Sequence, residues 1–308
     1  MHTKETDSFN ENRPDSPVAV SAEWQQLDFS AISGLVMLVG SPDTGKTTLF
    51  RYLGGRLASI QGAVFAVDAD PGQGRMGPPT TISLGIIKEA GAFSTTEDIW
   101  HRFVGATTPA GHMLQMLTGC GRLVQKARDM SAAPIIMDTT GLVDPLKGGA
   151  RLKLAKVDLL QPSVLIVLQR EQELENWLRP LRISRRIKII DMPCASAVRQ
   201  RDLTERQGFR EASFQQYFKD AVIQSFYWPH YGIFPELRFY IGRLLAFEDK
   251  AGFALGLGIV RGIDIASNTV MVFTPLAEAD KPRINAIQLG DVVVDAKDFS
   301  HTLTHPKT

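Results

Sequence analysis

The stretch Gly40-Ser41-Pro42-Asp43-Thr44-Gly45-Lys46-Thr47, continued by Thr48, constrains this chain more than any other. It follows an apolar run, Gly34–Val39 (GLVMLV), and opens a helical pattern over about 46–58. A glycine-rich turn between a strand and a helix lets backbone N–H groups face inward around phosphate oxygens, beside a helix N-terminus that favours anions. Lys46 would reach the β- and γ-phosphates of a nucleoside triphosphate, and the Thr47 hydroxyl would coordinate Mg²⁺.

The runs Ala63–Val67, Pro134–Met137, Ser163–Leu168 and Ile187–Ile190 are short and do not alternate, as strands buried on both faces should not. Helical patterns at about 112–129, 149–160 and 171–179 lie among them. This order predicts an α/β fold of the P-loop NTPase type, with a mainly parallel sheet flanked by helices, over 23–235. Beyond it, Leu237–Phe247, Phe253–Asp264, Thr269–Phe273 and Ala286–Val294 read as strands of a small antiparallel β domain, 236–296. Residues 1–22 and 297–308 are polar and read as tails. Cys120 and Cys194 are the two cysteines of the 308 residues. That number excludes a disulfide scaffold or a cysteine-based zinc site and suits a reducing cytoplasm. No run of 18 apolar residues occurs, so no membrane span is expected, and the first 17 residues lack the apolar stretch of a signal peptide.

The second apolar run ends Asp68-Ala69-Asp70-Pro71-Gly72-Gln73-Gly74. Its two carboxylates, at i and i+2, share a face at the carboxyl end of a strand, where open α/β sheets bind ligands. One could hold hydrated Mg²⁺ while the other accepts a proton from an attacking hydroxyl, although Asp, Pro and Gly also suit a plain surface turn. The run ending Asp138-Thr139-Thr140-Gly141 supplies Asp138 as another candidate for the Mg²⁺ shell. Which of these strands lies beside the phosphate loop is left open by the sequence.

A net charge of +1 argues against a general coat for nucleic acid, but it conceals polarity. From Arg179 through Arg210, nine basic residues face three acidic ones, so a +6 segment is set against a −5 remainder. A helix expected over Leu203–Phe226 would bury Phe214, Tyr217, Phe218, Ala221 and Val222 and carry Arg206 and Arg210 near its start. Cations there oppose the helix dipole, a conflict that an anionic partner would resolve. The alternative is a solvated face with Asp202 and Arg206 paired at i,i+4.

Taken together, GSPDTGKTTL, VDADPGQGRMGPPTTISLG, FVGATTP (103–109), MDTTGLV (137–143), VLQREQELE (167–175) and VRQRDLTERQGFR (198–210) resemble the 5'-hydroxyl polynucleotide kinases. The likeness is to those related to the RNA kinase of the pre-mRNA cleavage machinery, particularly their compact prokaryotic relatives, and runs from about Trp24 to Val294. It implies transfer of the γ-phosphate of ATP, with Mg²⁺, to the 5'-hydroxyl end of RNA or DNA, and names no protein partner. It implies that Asp70 is the base, that Gln73 completes the DxDxGQ pattern, and that Thr139 and Gly141 form a clasp on the acceptor strand. Arg201, Arg206 and Arg210 would belong to a lid over about 198–220.

The eukaryotic clasp has Trp where this chain has Leu142, which offers no π-face to a base. About 30 residues precede the phosphate-binding strand, so the amino-terminal β domain of larger relatives, and partner contacts made through it, are expected to be missing. Two other readings remain: an ATP-binding scaffold that no longer transfers phosphate, and a kinase for a small hydroxyl acceptor. His301 and His305 read as tail residues. Phe226, Tyr227, Trp228, Tyr231 and Phe234 read as an interdomain core, and Trp24 as a cover for the sheet.

Overall fold

In the computed structural model, residues 22–29, 32–88, 99–194, 199 and 201–304 are described. Most of the expected amino-terminal tail (1–21), Val198 and Gln200 of the lid, and 305–308 with His305 lie outside the described residues. The first half of the chain runs α1 (Ala22–Gln25), β1 (Leu35–Gly40), α2 (Lys46–Gln61), β2 (Val64–Ala69), β3 (Thr81–Ile87), β4 (Trp100–Phe103) and α3 (Met113–Met130). Next come β5 (Ile135–Thr139), α4 (Gly149–Leu160), β6 (Val164–Leu168), α5 (Glu175–Ser184), β7 (Lys188–Met192) and α6 (Leu203–Tyr217). The remainder is β8 (Val222–Tyr227), β9 (Gly232–Phe234), β10 (Arg243–Glu248), β11 (Ala254–Asp264), β12 (Thr269–Thr274), β13 (Ala286–Val294) and β14 (His301–Leu303).

Strands β2, β5, β1, β6 and β7 pair in that order and all parallel. β1, β2, β5 and β6 are buried on both faces, as their unbroken apolar runs require, whereas β7, at the edge of the sheet, is only partly buried and departs from that expectation. Leu35, Met37 and Val39 of β1 pack into one core with α3, α4 and α5, while Val36 and Leu38 pack into the other with α2. On α3, Met116, Cys120, Leu123, Val124 and Ala127 are buried, the spacing of one helix face. Trp24 is buried against Tyr52 in the α2 layer, as a cover for the sheet.

Strand β3 continues this sheet antiparallel to β2, and β4 pairs antiparallel to β3, an extension with no counterpart in the sequence reading. A single pair, Ala254 with His101, joins β4 to β11 and so to the carboxyl-terminal strands. Those strands differ from expectation at both ends. β8 pairs with β12 and β9 with β13, so the β domain begins before residue 236, and β14 pairs with β13 inside the expected tail.

The helix expected through Phe226 stops at Tyr217. From Val222 the chain takes strand periodicity, with Gln224 and Phe226 buried and Ser225 and Tyr227 exposed. Ala221 and Val222 are therefore off the helix. Phe226 and Trp228 sit in the β domain's own core, whereas Tyr227 and Phe234 are exposed, so these aromatics do not form an interdomain core. The join is made instead by Phe214 of α6 and Phe218 just past its end, which pack with Phe103 of β4 onto Leu244, Leu257 and Ile259.

Candidate active site

The loop between β1 and α2 wraps around its own lysine. Gly45, at φ 91°, caps α2 from the left-handed region, a conformation that glycine takes at no steric cost. Lys46 is buried, and its Nζ donates to the Ser41 carbonyl at 2.6 Å and the Thr44 hydroxyl at 3.4 Å. Burial lowers the Lys46 pKa, opposed by the fields of Asp138, Asp70 and Asp43. Thr48 follows, half-buried, on the first turn of α2.

Strand order settles which carboxylate is the neighbour of this loop. β5 lies between β1 and β2 and brings Asp138 to α2, where the Thr47 hydroxyl donates to its Oδ2 at 2.6 Å. The other oxygen, Oδ1, is buried without a hydrogen-bond partner, and burial pushes the carboxyl's pKa up to about 7. A buried acceptor atom beside a threonine hydroxyl fits Mg²⁺, a hard cation bound through oxygen and favoured by carboxylate. Thr47 and Asp138 thus form a fitting pair of ligands.

Asp68, opposite Asp138 in the β2–β5 register, does different work from that expected. Its Oδ2 accepts from the backbone N–H groups of Arg75 (2.6 Å) and Met76 (3.3 Å), and its Oδ1 from that of Asp70 (3.2 Å). Burial raises its pKa to about 6 despite these bonds. Both oxygens hold the loop 70–76, so Asp68 supports that loop rather than offering a free oxygen to a metal. Asp70 accepts from Gly72 N–H and Gln73 N–H, each at 2.9 Å, through Oδ1 alone. Its Oδ2 makes no hydrogen bond among the described residues.

Thr139, a candidate for acceptor binding, is turned inward. It is buried, and its hydroxyl donates to the Leu38 carbonyl at 2.7 Å and accepts from Lys153 at 3.1 Å. Lys153 of α4, buried and well below its ordinary pKa through loss of hydration, also donates to the Thr140 carbonyl at 2.7 Å. The Thr139–Gly141 segment is therefore fixed from beneath and meets the phosphate loop through Gly141, where any Cβ would lie 2.8 Å from Pro42.

Arg206 and Arg210 lie on α6, and Arg201 just ahead of it. Asp202 caps that helix in a reciprocal box with Glu205, which supplies the negative charge its N-terminus favours. Arg206 does not pair with Asp202: its guanidinium donates to Asp43 Oδ2 of the phosphate loop at 2.6 Å. Asp43 Oδ2 also accepts from the Arg201 backbone N–H at 3.1 Å, and the Arg201 side chain lies 3.8 Å from Oδ1. Gln73, whose part was not derivable from sequence, bridges the Asp70 loop to the lid. Its amide donates to the Arg206 carbonyl at 3.2 Å and accepts from Arg201 at 3.4 Å. Arg210 stands apart, donating to His301 at 2.9 Å.

The sequence did not single out Lys153 or Arg170, which follows β6 and donates to the Asp43 carbonyl, and His301, expected in a tail, lies instead on β14. For Arg170 a signal existed, a cation just past the carboxyl end of a parallel strand, on the ligand edge of the sheet.

A family model described as mRNA cleavage and polyadenylation factor CLP1 P-loop matches residues 40–220. Over 320 residues the chain is 28% identical to a polyribonucleotide 5'-hydroxyl-kinase of Methanocaldococcus jannaschii, covering 84% of this chain and 87% of that protein. It is 34% identical over 194 residues to one of Thermococcus kodakarensis, covering 62% of this chain and 53% of the other, and so spans about half of that relative. Its fold is similar to that of the Clp1p chain in a complex with Pcf11p, at a TM-score of 0.65 and 16% identity, covering 85% of this chain and 75% of that one.

Proposed function

The chain belongs to the CLP1 P-loop family, and from that premise we propose that it transfers the γ-phosphate of ATP to the 5'-hydroxyl end of a polynucleotide. The relatives named polyribonucleotide kinases favour RNA as the acceptor. One observation carries the assignment of roles. Lys46, the Thr47–Asp138 pair and the unengaged Oδ2 of Asp70 gather at the carboxyl ends of β1, β5 and β2, beneath a lid held on the phosphate loop. A triphosphate acceptor loop with a proton acceptor beside it is what a kinase needs and a passive nucleotide site does not.

In this reading the backbone of Gly40–Thr48 cradles the phosphates and Lys46 swings from the Ser41 carbonyl to the β- and γ-phosphates. Thr47 and Asp138 would hold Mg²⁺, whose charge would offset that of the phosphates. Asp70 Oδ2 takes the proton of the 5'-hydroxyl as its oxygen attacks the γ-phosphorus, and ADP leaves with the electron pair of the broken P–O bond. Arg201, Arg206 and Arg210 offset the charge of the transferring group once the phosphates draw Arg206 from Asp43. Asp68 and Gln73 hold the loop that aims Asp70. Thr139 acts indirectly, by fixing the backbone of the clasp, and Gly141 seats that backbone on Pro42.

Incubation with γ-labelled ATP, Mg²⁺ and 5'-hydroxyl RNA and DNA oligonucleotides in parallel tests the activity. Label is expected on RNA ends. Label on neither polymer would sink the kinase reading and favour the ATP-binding scaffold that Leu142 brings to mind.

A further inference from the structure

His301 lies near the end of the chain, on the short strand β14, which pairs with β13 at Val294. Its ring meets Phe214 of α6 edge-on, with centroids 5.7 Å apart, and its Nε2 accepts from Arg210 Nε at 2.9 Å. Since Arg210 donates to Nε2, the neutral ring carries its proton on Nδ1, which is buried. Burial and the neighbouring Arg210 charge lower the His301 pKa, opposed by Glu211 and a backbone hydrogen bond with Phe299, which favours the neutral ring that the Arg210 contact requires.

The bond leaves the business end of Arg210 open. Neither terminal nitrogen of its guanidinium makes a hydrogen bond to protein among the described residues. Asp70 is among the charges whose field acts on Arg210, which puts the arginine within electrostatic reach of the base. A carboxylate at position 301 would also accept from Nε, but it would cancel the charge. A neutral imidazole fixes the side chain and leaves the charge uncompensated, with the two terminal amino groups free for bidentate contact with a phosphate.

We infer that His301 is a positioning residue for phosphoryl transfer: from the carboxyl-terminal β domain it holds Arg210 by Nε, so that the terminal fork of the guanidinium faces the transferring phosphate. The inference rests on the kinase reading above. Phosphate recognition by Arg210 is thereby tied to the last strand of the chain, 91 residues away in sequence.

His301→Phe keeps the ring against Phe214 and removes the acceptor, while His301→Gln restores an acceptor oxygen. Expected for H301F are a kcat lower by roughly 10- to 100-fold with little change in acceptor KM, and no further loss when R210A is added. H301Q should recover most of the rate. A parent-like kcat in H301F, an H301Q as slow as H301F, or additive losses with R210A would each overturn the proposal. The contact itself is read without catalysis, from the Arg210 Nε–H resonance in a ¹⁵N spectrum of the full chain. Slow exchange of that proton, lost in H301F, supports the contact even if no oligonucleotide is labelled, and an unchanged signal in H301F refutes it.

Discussion

Arg206 of the lid helix donates a 2.6 Å hydrogen bond to Asp43, inside the phosphate loop itself. Asp43 thus ties α6, and Arg201 just ahead of it, to the loop between β1 and α2. Asp43 is only 8% exposed, but both guanidinium groups reach solvent, Arg206 at 27% and Arg201 at 38%, which limits each pair's worth to about 1 kcal/mol. Asp43→Ala should therefore leave the fold intact and raise amide exchange over the first turns of α6 by roughly fivefold. Hydrogen exchange with and without the substitution measures this, and unchanged rates there would show that Asp43 does not hold the lid.

Asp70→Asn keeps the acceptor for the Gly72 and Gln73 N–H groups and removes the base. ATP binding should persist while transfer falls by about 10²- to 10⁴-fold. Equilibrium ATP binding paired with the labelled-end assay separates the two; transfer at the parent rate would take Asp70 out of its assigned role.

Gly141→Ala places a methyl group 2.8 Å from the Pro42 backbone, where no flexible side chain can yield. Overpacking of this kind costs about 1–3 kcal/mol, and here the displaced atoms belong to the phosphate loop. Weaker ATP binding and a lower urea midpoint are expected together. A variant with unaltered ATP affinity would mean that the clasp and the loop move independently.

His101, half-buried and bonded to Ser83 at 2.8 Å, has its pKa lowered by burial to about 4. Above pH 6.5 the ring is neutral in the folded and unfolded chains alike, and stability is unaffected. As pH falls from 6.5 toward 4 the unfolded chain takes a proton that the folded one refuses, so stability falls by up to about 3 kcal/mol. His101→Gln removes that dependence. Urea unfolding at pH 7 and pH 4.5 should show a smaller loss in the variant, and equal losses would rule out His101 as its source.

What the sequence made legible was local. An apolar run, a glycine turn and a lysine stand within fourteen positions of one another, and strands buried on both faces announce themselves by lacking alternation. β3 escaped because Thr81–Ile87 has that same unbroken burial but follows a turn-rich stretch with no helix before it, so no parallel crossover marks it. The helix over 203–217 was overextended because Phe214, Phe218 and Val222 keep a four-residue spacing across its end. The contacts of Asp43, Gln73 and Arg210 with their partners span 163, 133 and 91 residues, and no local period encodes such pairs.

Helix α6 is fastened unequally at its two ends. At the amino end it is held by ion pairs that water can replace, worth about 1 kcal/mol each at most. At the carboxyl end Phe214 and Phe218 are fully buried, and phenyl groups so placed resist removal by about 3–5 kcal/mol each. Any parting of the helix from the phosphate loop would therefore pivot on Phe218 more readily than detach it. With about 22 Å between that pivot and the first turn, a tilt of ~10° sweeps the amino end through ~4 Å, about the width of a phosphate group. The rings around that pivot, Phe103, Phe214, Phe218, Phe273 and Phe299, lie in one cluster with the carboxyl-terminal strands, so their packing would bear on how far α6 can tilt.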